Sequence, residues 1–185
     1  MKRSWILAGS LLAISVGVAF ARSDELPEMP KPQAEHEWLQ QLVGEWESEV
    51  ECFPPGEEPV KSKGTESVRA VGGFWIVAEN RGNMMGMPFT GLLTLGYDPA
   101  AKQYIGTWVD SMGSQLWSYR GSVDAARKAL TLETEGPSCM EPGKTAKFKE
   151  VIVLRSPDHK SFHSEMQGSD GKWTQLLSIE YRRKK

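Results

Sequence analysis

Between Glu45 and Cys52 every odd position is a glutamate, which turns Trp46, Ser48, Val50 and Cys52 to the opposite side of an extended segment. A segment that is wet on one side and largely apolar on the other at period two is a sheet strand covering a core. Further strands are predicted over residues 61–71, 74–81, 89–97, 103–110, 115–121, 129–135, 145–155, 161–167 and 172–182. Between them stand turn signals with a mechanism: Gly72-Gly73, Asp98-Pro99, Ser156-Pro157-Asp158 and Asp170-Gly171. Helical spacing occurs only at residues 35–43, where Trp38/Leu42 and Leu39/Val43 are four apart and Gly44 ends the run. One short helix followed by about ten hairpin-linked strands predicts an all-β fold, a single antiparallel up-and-down barrel. A two-sheet sandwich is the alternative that spacing alone leaves open.

The N-terminus reads differently. Lys2 and Arg3 precede an uncharged apolar run over residues 5–20, and Ala19-Phe20-Ala21 has the small-x-small form of a cleavage site. Residues 1–21 are therefore expected to be a secretory signal peptide. Residues 22–34, broken by Pro27, Pro30 and Pro32, read as a tether, and 35–185 as the barrel domain. The expected location is the periplasm or the medium. Since the apolar run is marginal against the ~20 residues of a spanning helix, no stable membrane insertion is expected after signal removal. With 22 basic and 24 acidic residues the net charge is −2, and loss of Lys2 and Arg3 would take it to −4. A mildly acidic chain without a basic block argues against nucleic acid as a partner. Export would carry Cys52 and Cys139 to an oxidising compartment. They are read either as two free thiols or as a disulfide closing one barrel end, the alternation placing Cys52 inward and Cys139 lying in a loop.

Two features resemble a known architecture. Gly44-Glu45-Trp46, directly after a short helix, resembles the G-x-W opening of the calycins, the lipocalins and their relatives. Arg182 or Arg183 on the last strand stands where their closing arginine packs on that tryptophan, and Trp46 and Arg182 are assigned this structural role. More specific is the ordered set Leu42-Val43-Gly44-Glu45-Trp46, Lys63-Gly64-Thr65-Glu66, Gly72-Gly73-Phe74-Trp75, Thr94-Leu95-Gly96-Tyr97-Asp98, Gly106-Thr107-Trp108-Val109-Asp110-Ser111-Met112, Glu135-Gly136-Pro137 and Asp170-Gly171-Lys172-Trp173. In that order it is similar to the bacterial domain-of-unknown-function 1579 family, over nearly all of residues 35–185. The resemblance implies a calycin-like barrel and carries over no catalytic residue. Haem-binding nitrobindins are more distant calycin relatives with an iron-ligating histidine on the last strand. Residues 172–182 contain no histidine, Gln175 being the candidate matching position, so no haem or other cofactor is expected.

Chemistry-bearing residues are few. His36 falls in the helix, His159 in a turn, and His163 on the polar face of a strand, which leaves little material for a metal cluster or a catalytic triad. Met84, Met85 and Met87 in the loop over residues 82–88 suit Cu(I) by softness, but read better as an apolar rim, and no metal is assigned. Alternation turns Glu66 and Glu150 inward, because Lys61, Lys63 and Arg69 share the outer face of one strand and Lys147, Lys149 and Arg155 that of another. Asp110 shares a face with Tyr104 and Trp108, and Glu79 with Trp75 and Val77, so both are expected inside. Arg120 and Arg182 are the nearest candidates to pair with internal carboxylates. Trp108 and Trp117, on neighbouring strands, are expected either to pack the core or to wall a cavity. Glu66, Glu79, Trp108, Asp110, Trp117 and Glu150 are thus the candidate ligand-binding residues.

Three functions remain open. The leading one is non-catalytic binding of a small, partly apolar molecule inside the barrel. The second is an enzyme using Glu66, Glu150 and Asp110 as acid and base, although no catalytic motif is present. The third is a filled barrel acting as a structural or interaction domain.

Overall fold

Ten strands, each hydrogen-bonded to its sequence neighbours, close on themselves when the first pairs with the last. The computed structural model describes residues 29–84 and 86–185. The expected signal peptide, the tether before residue 29 and Met85 lie outside the described residues. The elements are α1 (Ala34–Gln40), β1 (Gly44–Cys52), β2 (Val60–Val71), β3 (Trp75–Met84), β4 (Met87–Asp98), β5 (Gln103–Asp110), β6 (Trp117–Val123), β7 (Ala129–Pro137), β8 (Thr145–Ser156), β9 (His159–Gln167) and β10 (Trp173–Arg183). All pairings are antiparallel. This is the up-and-down barrel, and closure removes the sandwich alternative along with every sheet edge. Among the described residues no helix is long and apolar enough to cross a membrane.

The helix plugs one end of the barrel. Trp38, Leu39 and Leu42 are almost fully buried against Ile76, Leu95, Leu130 and Leu132, each burial stabilising by roughly 1.5–3 kcal/mol. Polar atoms on this plug are satisfied: Trp38 Nε1 donates to the Arg127 carbonyl at 2.8 Å, and Tyr104 Oη donates to the Glu35 carbonyl at 3.1 Å. The Trp46 indole donates to the Leu42 carbonyl at 2.9 Å, tying the G-x-W tryptophan to the end of the helical segment. The opposite end, where β1 ends and β2 begins, stays open.

Register corrects the closing arginine. On the β1–β10 ladder Trp46 pairs with Arg183 and Glu47 with Arg182, and directly opposed residues share a face. Arg183 therefore packs on the Trp46 ring, its guanidinium carbon 4.1 Å from the centroid, and donates to the carbonyls of Val43 and Gln41 at 2.7 and 3.1 Å. Arg182 points outward beside Glu47.

A second correction concerns β3. Ile76 and Ala78 are the buried residues, whereas Trp75 is 39% exposed and the Glu79 side chain 37% exposed. Glu79 forms an outer-face ion pair with Arg81 and is not inside the barrel. The expectation followed the large apolar Trp75 and Val77, but Trp75 lies over Gly96 on the outside of β4, where a Cβ would strike its ring.

Candidate functional site

The open end leads into a cavity of about 540 Å³. Period two on every strand decides its lining: Ser48, Val50 and Cys52 from β1, Glu66 from β2, Asn80 from β3, Trp108 and Asp110 from β5, and Phe148, Glu150 and Ile152 from β8 all face it. Of the six candidate ligand-binding residues, Glu66, Trp108, Asp110, Trp117 and Glu150 meet here, and Glu79 alone does not.

The aromatic mouth is built by facing strands. Trp108 and Trp117 are directly opposed on β5 and β6. Each indole lies over a glycine of the next strand, Gly91 and Gly136 respectively, where any Cβ would overlap the ring. Phe89 stacks on Trp108 at 6.2 Å, and Phe148 meets Trp117 edge-on at 5.0 Å. Two residues along its strand, Asp110 accepts the Trp108 Nε1–H at 2.8 Å and, through its other oxygen, the Met112 backbone N–H at 2.8 Å. Asp110 thereby fixes the indole against the wall.

At the floor, Glu66 and Lys160 form an ion pair through Oε2 and Nζ, with side chains only 6% and 4% exposed. The ammonium also lies 4.6 Å from the ring centroids of both Trp46 and Tyr181. Burial pushes the Lys160 pKa down while Glu66 opposes that shift. The Tyr181 hydroxyl reaches Asn80 Oδ1 at 3.4 Å, and its pKa is raised, first by burial and then by Glu66.

Neither expected cation is present. Arg120 is exposed on β6 and Arg182 on β10; the internal base is Lys160, which precedes the strand expected over residues 161–167. The signal that would have found it was available. Phe162, Ser164 and Met166 alternate inward on β9, and carrying that alternation back two residues from Phe162 reaches Lys160, where β9 has already begun.

Glu150 is the unpaired group. Ser164 Oγ, opposite it on β9, donates to Oε1 at 3.0 Å, while Oε2 is buried without a hydrogen-bond partner. Burial raises its pKa to about 8, against a smaller downward pull from Ser164. The nearby Tyr119 hydroxyl is held protonated by burial, then by Glu150 and Asp110. Near neutrality this wall presents a neutral carboxylic acid beside a phenol.

Cys52 and Cys139 both reach the cavity mouth, and both are free. The disulfide reading is not realised: the Cys139 thiol lies 3.7 Å from the Met166 sulfur as a donor, and burial pushes the Cys52 thiol pKa up. The methionine loop is the β3–β4 hairpin, where Met84 and Met87 are paired and Met84 lines the cavity. Gln175, the position matched to a haem ligand, is exposed. Among the described residues no group of three or more His, Cys, Asp or Glu side chains is arranged to hold a metal ion.

Solved structures share the fold. Rv2717c from M. tuberculosis superposes with a TM-score of 0.57 at 14% identity, over 84% of this chain and 100% of that one. The S-type phycobiliprotein lyase CPES from Guillardia theta superposes at 0.52 with 15% identity, over 83% and 99% of the two chains. At these identities the likeness is one of architecture alone. No curated protein matches the sequence. Residues 31–183 match the family described as protein of unknown function (DUF1579), and the chain belongs to that family.

Proposed function

We propose that the protein is exported and holds one small, partly apolar molecule inside its barrel without transforming it. The cavity of about 540 Å³ carries this reading, since small-molecule sites span ~300–1,000 Å³ and combine apolar walls with a few convergent polar groups. A self-filled barrel would not leave that volume. Acid–base catalysis would need two available groups within reach of one substrate. Here Glu66 is committed to Lys160 and Asp110 to two donors, and among the described residues Glu150 Oε2 is the buried side-chain oxygen without a hydrogen-bond partner.

Native mass spectrometry of the protein purified from its own cell envelope tests the binding role. The expected outcome is a retained species that accompanies the folded protein and is lost on denaturation. A protein that is always empty, and that takes up no apolar probe, would contradict it.

Export is supported by Lys2 and Arg3, the apolar run and Ala19-Phe20-Ala21. The mature N-terminus is then Arg22. Intact-mass analysis of the native protein should show that start, and recovery of a chain still beginning at Met1 would contradict export by cleavage.

A further inference from the structure

Inside the cavity, one polar atom lacks what it needs. Glu150 Oε2 is buried and unpartnered, on a wall that also carries Asp110 from β5 and Tyr119 from β6. A neutral acceptor or a cation could each satisfy it; an anion would find no free base to neutralise it, because the inward base, Lys160, is paired with Glu66. Arg81 and Lys63, at the rim, carry their charges on the outer face beside Glu79 and Glu49.

Two observations select the cation. Asp110 adds a second carboxylate to the same side, favouring positive charge between them. The rings of Trp108, Trp117 and Phe148 line the same part of the cavity, and aromatic faces attract a desolvated ammonium, Trp best of all. At the floor the Lys160 ammonium is held the same way, between Trp46 and Tyr181.

We propose that the ligand is an organic amine whose ammonium pairs with Glu150 while its apolar body lies among Trp108, Trp117 and Phe148, an inference that rests on the binding role proposed above. The incoming ammonium keeps its proton and Glu150 releases its own to solvent. Below the raised Glu150 pKa of about 8, affinity should therefore climb about tenfold per pH unit. It should decline again near the amine's own pKa, ~10.4 for a lysine-like group. The other groups facing Glu150 are Asp110, Tyr119 and Ser164, with the Glu66–Lys160 pair below.

Calorimetric titration of the purified protein with octylammonium, octan-1-ol and octanoate separates the possibilities, since the three share one tail. At pH 7.5 octylammonium should bind about tenfold or more tighter than the alcohol, the scale of a hydrogen bond to a charged group, and octanoate weakest. Glu150→Gln, which keeps the shape and the Ser164 contact, should weaken octylammonium about tenfold and flatten its pH dependence. It should leave the alcohol within about twofold. An alcohol that binds as tightly as the amine, or a variant that weakens both equally, overturns the amine assignment and leaves the binding role standing. If none of the three probes binds, the binding role falls with it.

Discussion

Lys160→Met should destabilise the protein by about 3–5 kcal/mol, the usual result of removing one partner from a buried ion pair. For a chain of this size that corresponds to a fall in Tm of roughly 10 °C. The change leaves the Glu66 carboxylate, whose side chain is 6% exposed, without its cation. It also removes the ammonium held 4.6 Å from both the Trp46 and Tyr181 rings. Combining it with Glu66→Gln removes the stranded charge, so the double variant should be more stable than Lys160→Met alone. Hydrophobic or neutral replacement of a whole buried pair is often nearly neutral. Thermal melts of the wild type, the two single variants and the double variant give the coupling directly. Additive losses would show that the two charges do not depend on each other and would remove the floor pair from this account.

The pair also shows how far the sequence could be read. Period two alone turns Glu66 and Glu150 inward, because lysines and arginines claim the opposite face of each strand, and both line the cavity. The same rule failed on β3. Trp75 and Val77 look like core residues, yet the core there is made by Ile76 and Ala78, and hydrophobicity fixes a strand's face only when one side is polar. Arg183 is separable from Arg182 by the same alternation, since Leu177, Ile179 and Tyr181 share its face while Ser178, Glu180 and Arg182 take the other, and the ladder then pairs it with Trp46. The extra residue Leu176, at the irregularity in the β9–β10 ladder, shifts the alternation between Gln175 and Leu177. A one-residue count error of this kind moves every later side chain to the other face.

Glu150→Gln should make the protein more stable in alkali and leave it unchanged in acid. The folded pKa of about 8 lies above the ordinary value of 4.5, with burial as the main cause, so the folded state holds a proton that the unfolded chain surrenders. Linkage then fixes the sign. The stabilisation is complete below about pH 4.5 and is lost progressively as the pH rises through about 8. The full interval corresponds to about 5 kcal/mol, and water reaching the open cavity reduces it, so a difference of roughly 2–5 kcal/mol is expected at pH 9. Glutamine carries no charge at any of these pH values and still offers an acceptor to Ser164, so the variant should not share the loss. Melts of both proteins between pH 4.5 and 9 should begin together and separate by several degrees at the alkaline end. Bound octylammonium, by supplying the counter-charge, should narrow that gap by about 1.4 kcal/mol, the equivalent of its roughly tenfold tighter binding to the wild type. A constant difference across the whole range would mean that Glu150 is solvated and ionised throughout, and the polar wall of the cavity would then have to be drawn without a neutral acid in it.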